Sequence, residues 1–122
     1  MFRDEVRFPH ILFLPAVRQA RLGDWSPRAD VYRTPDGWLV KFELAGVCPE
    51  DVRLAVRGQT LILEGSRRDA SSNLGCHCYH MEIVYSHFER AVELPGLSER
   101  VQMTATYRDG MLLVSLVTED RR

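Results

Sequence analysis

The sequence predicts an all-β protein: an immunoglobulin-like antiparallel β-sandwich of seven to eight short strands. Three observations carry that prediction. From residue 25 onward apolar residues recur at every second position, the period of a strand with one buried face. Turn signals separate these runs at intervals of about ten residues. No window of about a dozen residues carries a helical stripe.

Residues 1–24 mix aromatics, Pro9, Pro15 and charges, and read as a flexible arm with a short helix around residues 16–22. After Pro35-Asp36-Gly37, the residues Trp38, Val40, Phe42 and Leu44 alternate with Leu39, Lys41 and Glu43. A turn at residues 46–49 leads to Val52, Leu54 and Val56, which alternate with Arg53, Ala55 and Arg57. Beyond Arg57-Gly58-Gln59, the run Thr60-Leu61-Ile62-Leu63 is apolar on both sides, as expected of a central strand covered twice. Residues 66–80 are polar and carry Ser, Asn and Gly, so they form a long loop, and loops of that length are functional or mobile. Phe88, Val92 and Leu94 then share a face with Arg90, and Glu89 and Glu93 take the other. After Pro95-Gly96, Val101, Met103, Ala105 and Tyr107 alternate with Gln102, Thr104, Thr106 and Arg108. Asp109-Gly110 suits a two-residue type I′ turn, because both central residues need positive φ. The closing run from Met111 to Val114 is again apolar on both sides. The expected organisation is an arm at 1–24, a sandwich domain at 25–118 and a short tail at 119–122.

Composition narrows the functional classes. The 122 residues suffice for one domain and not for two ordinary ones. Apolar residues at 45% and charged residues at 27% describe a folded chain rather than a disordered one. Sixteen Lys and Arg against 17 Asp and Glu leave a net charge of −1 with scattered basic residues, which favours neither nucleic acid nor an anionic membrane. The apolar run Ile11-Leu12-Phe13-Leu14 is far short of the ~20 residues of a membrane span. It also makes a poor export leader, given Asp4 and Glu5 before it. Three cysteines fit a reducing compartment better than a disulfide framework, so the expected location is cytoplasmic.

Several motifs stand in a distinctive order: Trp25-Ser26-Pro27 before Asp30-Val31; Phe42-Glu43-Leu44-Ala45-Gly46-Val47 before Glu50-Asp51-Val52; and Leu61-Ile62-Leu63-Glu64-Gly65. Phe88-Glu89-Arg90 with Leu94-Pro95, and Ala105 with Asp109-Gly110 and Leu112, complete the set. Together, from Trp25 to Val117, they resemble the small heat-shock protein (α-crystallin domain) family of bacterial type, with Ala45 in place of the usual Pro.

The resemblance implies an ATP-independent holdase that binds partly unfolded client proteins through exposed apolar surface. Each apolar side chain that a client buries contributes about 1.5–3 kcal/mol, so a few adaptable contacts suffice. In the arm, Phe2, Phe8, Ile11, Leu12, Phe13 and Leu14 supply such a surface, or else fold back on the sandwich. The resemblance also implies a homodimer made by strand exchange. Residues 80–86 of the long loop would pair with the partner's early strand at residues 30–33, removing an exposed edge. The interface would take Met81, Ile83, Tyr85, Phe88 and Arg90, the last opposite a carboxylate; the alternative is a hairpin within the chain. Family members that build large shells dock an I-x-I tail in a groove, here between strands carrying Val52, Leu54 and Val56 and strands carrying Met103 and Ala105. The chain ends without that motif, so dimers or small oligomers joined through the arm are expected. Residues 11–14 are candidates to enter the groove by strand addition.

Competing chemistry is thin. Cys76-His77-Cys78-Tyr79-His80 has ligand character, but C-x-C-x-H is tighter than usual zinc spacing and lacks a second ligand pair, so no metal and no cofactor is expected. The same thiols are candidates for redox chemistry or simply solvated loop residues. No G-x-S-x-G elbow, P-loop or G-x-G-x-x-G is present, so no catalytic residues are assigned. The other functional reading is a co-chaperone-like sandwich that binds one specific protein.

Overall fold

The described residues form the strands β1 (Val6–Arg7), β2 (Ala29–Thr34), β3 (Gly37–Glu43), β4 (Val52–Arg57), β5 (Thr60–Ser66), β6 (His87–Glu93), β7 (Val101–Arg108) and β8 (Met111–Thr118), and the alternation read at period two falls in β3, β4, β6 and β7. Among the described residues the one helical element is a 3-10 turn at Pro49–Asp51. The computed structural model describes residues 6–7, 25–69 and 75–119. The helix expected around residues 16–22 lies outside them.

The strands form two antiparallel sheets, ordered β1-β7-β8-β3-β2 and β4-β5-β6. Asp109 and Gly110 hold φ of +54° and +77°, so the β7–β8 turn has the type I′ geometry expected of Asp-Gly. Register then follows from Arg108↔Met111 to Val101↔Thr118. That register faces Ala105, Leu112, Val114 and Leu116 inward with Val40, Phe42 and Leu44 of the neighbouring β3 segment. From the other sheet Leu54, Val56, Leu61, Leu63, Phe88 and Val92 close the same apolar core. Burial of this kind, not hydrogen bonding, supplies most of the driving force.

The two doubly apolar runs behave differently. β5 lies between β4 and β6, and its opposite faces are both buried: Leu61 and Leu63 on one, Ile62 and Glu64 on the other. β8 is central too, but Leu113, Ser115 and Val117 on its second face are only half-buried, so it is not covered twice. The expected strand at residues 80–86 is not a strand among the described residues, and no hairpin with β6 forms. Among the described residues no strand pairs with 80–85, and extended backbone needs such an edge in order to become sheet; Ser86 alone extends the β5–β6 ladder, its carbonyl oxygen accepting from Arg67 N–H. Conversely β1 pairs with β7 through Val6↔Tyr107 and Arg7↔Thr106, a pairing that two residues cannot announce in sequence.

Candidate interaction surface

The unpaired edges of the sheets locate the surface. β7 is covered by β1, and β6 carries a parallel bridge from Trp25 to Phe88 along its free side. Trp25 N–H donates to the His87 carbonyl oxygen, and the Trp25 carbonyl oxygen accepts from Glu89 N–H, both at 3.2 Å. Among the described residues β2 and β4 keep one edge each without a partner strand. β2 has mostly exposed side chains, including Val31 at 41% and Tyr32 at 45%. An exposed edge with apolar side chains is a template for another strand.

The long connection from β5 to β6 supplies a second exposed apolar stretch. Tyr79 is wholly exposed, and Met81, Ile83 and Val84 are 56%, 59% and 44% exposed. The segment is tethered at its far end by Arg67. Nε and Nη2 of Arg67 donate to the Val84 carbonyl oxygen at 3.0 and 2.8 Å, and Nη1 donates to the Ala45 carbonyl oxygen at 3.0 Å. Beside it, Arg68 forms a bidentate pair with Asp51 at 2.9 and 2.8 Å, which raises its guanidinium further above the ordinary value.

The expected interface residues separate. Met81 and Ile83 are exposed, and Tyr85 is half-buried near Arg67. Phe88 is not at the surface: it is fully buried, its ring 5.2 Å from Trp25 in an edge-on contact, because its position alternates in phase with Val92 and Leu94. Arg90, expected opposite a carboxylate, donates Nη1 to the Pro27 carbonyl oxygen of its own chain at 2.8 Å. Of the expected groove residues, Leu54, Val56 and Ala105 are buried in the core, and Val52 and Met103 pack on it half-buried. Leu54, Val56 and Ala105 therefore face the interior of the sandwich, while Val52 and Met103 keep part of their surface outside it. The arm residues Phe2, Phe8, Ile11, Leu12, Phe13 and Leu14 lie outside the described residues. Val6–Arg7 runs along β7.

Two polar groupings sit nearby. Cys48, Cys76 and Cys78 are all free and exposed, and His80 Nε2 lies 2.8 Å from Glu82 Oε2. Among the described residues no three His, Cys, Asp or Glu side chains are arranged to hold a metal ion. On the outer face of the smaller sheet, His87 Nε2 lies 3.8 Å from Glu64 Oε2 and 3.7 Å from Glu89 Oε1. Among the described residues, His87 Nε2 and Glu89 Oε1 find no hydrogen-bond partner, and both atoms are buried. Neither this cluster nor Arg67 as a tether is announced by local pattern, since each depends on partners far away in the chain. No helix of the described residues is long and apolar enough to cross a membrane.

Comparison with known proteins places this geometry. A model of the Hsp20/alpha crystallin family matches residues 30–122. The chain is 28% identical over 97 residues to small heat shock protein C4 of Rickettsia felis, covering 79% of this chain and 59% of that relative. It is 27% identical over 90 residues to the 17.7 kDa class II heat shock protein of Arabidopsis thaliana, covering 72% and 58%. The chain therefore spans less than two thirds of the length of these relatives. Among solved structures, heat shock protein 16.0 from Schizosaccharomyces pombe superposes with a TM-score of 0.68 at 25% identity, over 89% of this chain and 78% of that one. HSP18.5 from E. histolytica gives 0.64 at 25% identity, over 80% and 92%. The family match takes in nearly all of β2 and every strand after it, and it settles what the ordered motifs pointed to: this chain belongs to the Hsp20/alpha crystallin family.

Proposed function

We propose that the protein is an ATP-independent holdase that works as a homodimer, holding partly unfolded proteins until other chaperones take them. Membership of a small heat-shock protein family supports a chaperone-type role rather than an enzymatic one. The observation that carries the finer reading is apolar exposure on two complementary elements. Met81, Ile83 and Val84 stand in solvent on a segment without a strand partner, and β2 offers an edge without one beside exposed Val31 and Tyr32. Pairing residues 80–86 of each copy with β2 of the other would satisfy both at once, by a two-fold rule in which each copy gives and receives the same segment. Clients would then meet the apolar residues of the arm, in a cytoplasmic setting.

Two measurements test this. Sedimentation equilibrium of the full chain should give a dimer, and Val31→Asp, which places a charge on the receiving edge, should weaken it at least about tenfold. A heated, aggregation-prone protein should scatter less light in the presence of this one without nucleotide. A chain that stays monomeric at every concentration, or leaves all such substrates to precipitate, contradicts the reading. One tight protein partner in place of broad suppression would favour the co-chaperone-like alternative.

A further inference from the structure

We infer that Arg67 is a positioning residue that couples the root of the N-terminal arm to the segment offered for strand exchange, an inference that rests on the dimer proposed above. Its guanidinium is the meeting point of three stretches distant in sequence. One edge of the plane holds the Val84 carbonyl oxygen by two donors, at 3.0 and 2.8 Å, and the other reaches the Ala45 carbonyl oxygen at 3.0 Å. Its face lies 3.9 Å from the centre of the Trp25 ring and 5.9 Å from that of Tyr85. The backbone closes the same knot, with Arg67 N–H donating to the Ser86 carbonyl oxygen at 3.0 Å.

The consequence lies in what is fixed and what is left free. Val84 is pinned through its carbonyl, yet Met81 and Ile83, just before it, remain more than half exposed. The clamp therefore sets the point and direction from which the exchange segment leaves the sandwich. In a two-fold dimer the two segments leave along symmetry-related directions, each the same relative to its own sandwich, and a pinned exit lowers the ordering that association requires. Trp25 brings in the arm. It stacks on Arg67 and is itself strapped to β6 by two backbone hydrogen bonds and by its edge-on contact with Phe88. Trp25 is thereby linked through the face of Arg67 to the Val84 carbonyl oxygen.

The chemistry requires arginine. Only a planar guanidinium donates along its edges to two carbonyls while stacking its face on an aromatic ring; a lysine ammonium is a point charge without that plane. Arg67→Lys keeps the charge and removes the geometry, and Trp25→Leu removes the stacking partner while keeping an apolar side chain.

The test is sedimentation equilibrium on the full-length chain and both variants. Each is paired with urea unfolding at a concentration where the chain is monomeric, and with far-UV circular dichroism. Arg67→Lys is expected to raise the dimer dissociation constant about tenfold or more, with the β-sheet spectrum and the monomer's urea midpoint close to wild type. Trp25→Leu is expected to raise it too, and the double variant less than the product of the two effects, because both act through one contact. The inference falls if wild type dimerises and Arg67→Lys dimerises equally well. It also falls if the loss of dimer is matched by loss of monomer stability, or if the two effects multiply independently. A wild-type chain that never dimerises removes the strand-exchange reading itself, a different result from a dimer indifferent to Arg67.

Discussion

Tyr107 ties the end of one hairpin to the turn after β3. Its hydroxyl donates to the Leu44 carbonyl oxygen at 2.6 Å, and burial raises its ionisation above the ordinary tyrosine value of about 10, outweighing nearby backbone hydrogen bonds that act the other way. The raised group favours the neutral phenol in the fold. The stability it contributes is therefore complete below about pH 10 and is lost as pH climbs through the raised value. Tyr107→Phe should cost about 1 kcal/mol at neutral pH and lose less additional stability in alkali than wild type. Urea melts at about pH 8 and about pH 11 check this, and equal alkaline losses in both proteins would contradict it. Gly65 makes a second single-residue point. A Cβ there would collide with the Asp51 carbonyl oxygen and lie 2.7 Å from Phe88 Cζ. Gly65→Ala should destabilise by about 1–3 kcal/mol, read as a lower denaturation midpoint.

At the scale of elements, the strands differ in how they are held. β2 contributes little to the core and stays on its sheet partly through cross-strand pairs. Arg33 stacks 4.5 Å from the Trp38 ring, and Asp30 lies 3.8 Å from Lys41, which in turn sits over Tyr32. Such exposed pairs contribute at most about 1 kcal/mol each, so β2 is a weakly anchored edge suited to accepting another strand. β1 is the reverse case: two residues that cover an edge. Removing residues 1–15 should speed amide hydrogen exchange in β7 around Thr106 and Tyr107, where Val6 and Arg7 pair, and leave β5 unchanged. Unaltered exchange across β7 would show that β1 does not protect that edge.

For the whole molecule, one apolar core between two sheets leaves large apolar side chains outside it, among the described residues, at two places: β2 and the segment before β6. Their pairing would make the folded state depend on concentration, since anything that binds only the native chain stabilises it by mass action. Thermal midpoints should therefore rise with protein concentration in wild type and rise less in Val31→Asp, checked by calorimetry over about a hundredfold range. A midpoint independent of concentration would count against a dimer coupled to folding.

The strands were legible because alternation is local: Trp38 to Leu44, Val52 to Val56 and Val101 to Tyr107 each declare an inward face within a few residues. The Asp109-Gly110 turn was legible for the same reason, since its positive φ values follow from two adjacent residues. The family was legible because its motifs keep their order along the chain. Burial depth was not. That Phe88 disappears into the core, that Leu54 and Val56 are enclosed, and that Arg90 turns to Pro27 depend on the second sheet and on the strap at Trp25. Arg67 is the extreme case, since its partners Trp25, Ala45 and Val84 lie far from it in sequence. The amino-acid order by itself determined which residues could face inward and where the chain turns, because those preferences act between neighbours. Only the tertiary structure decided which edges stay open and which side chains hold the exchange segment, because stacking and hydrogen bonding are settled by what the folded chain brings within a few ångströms.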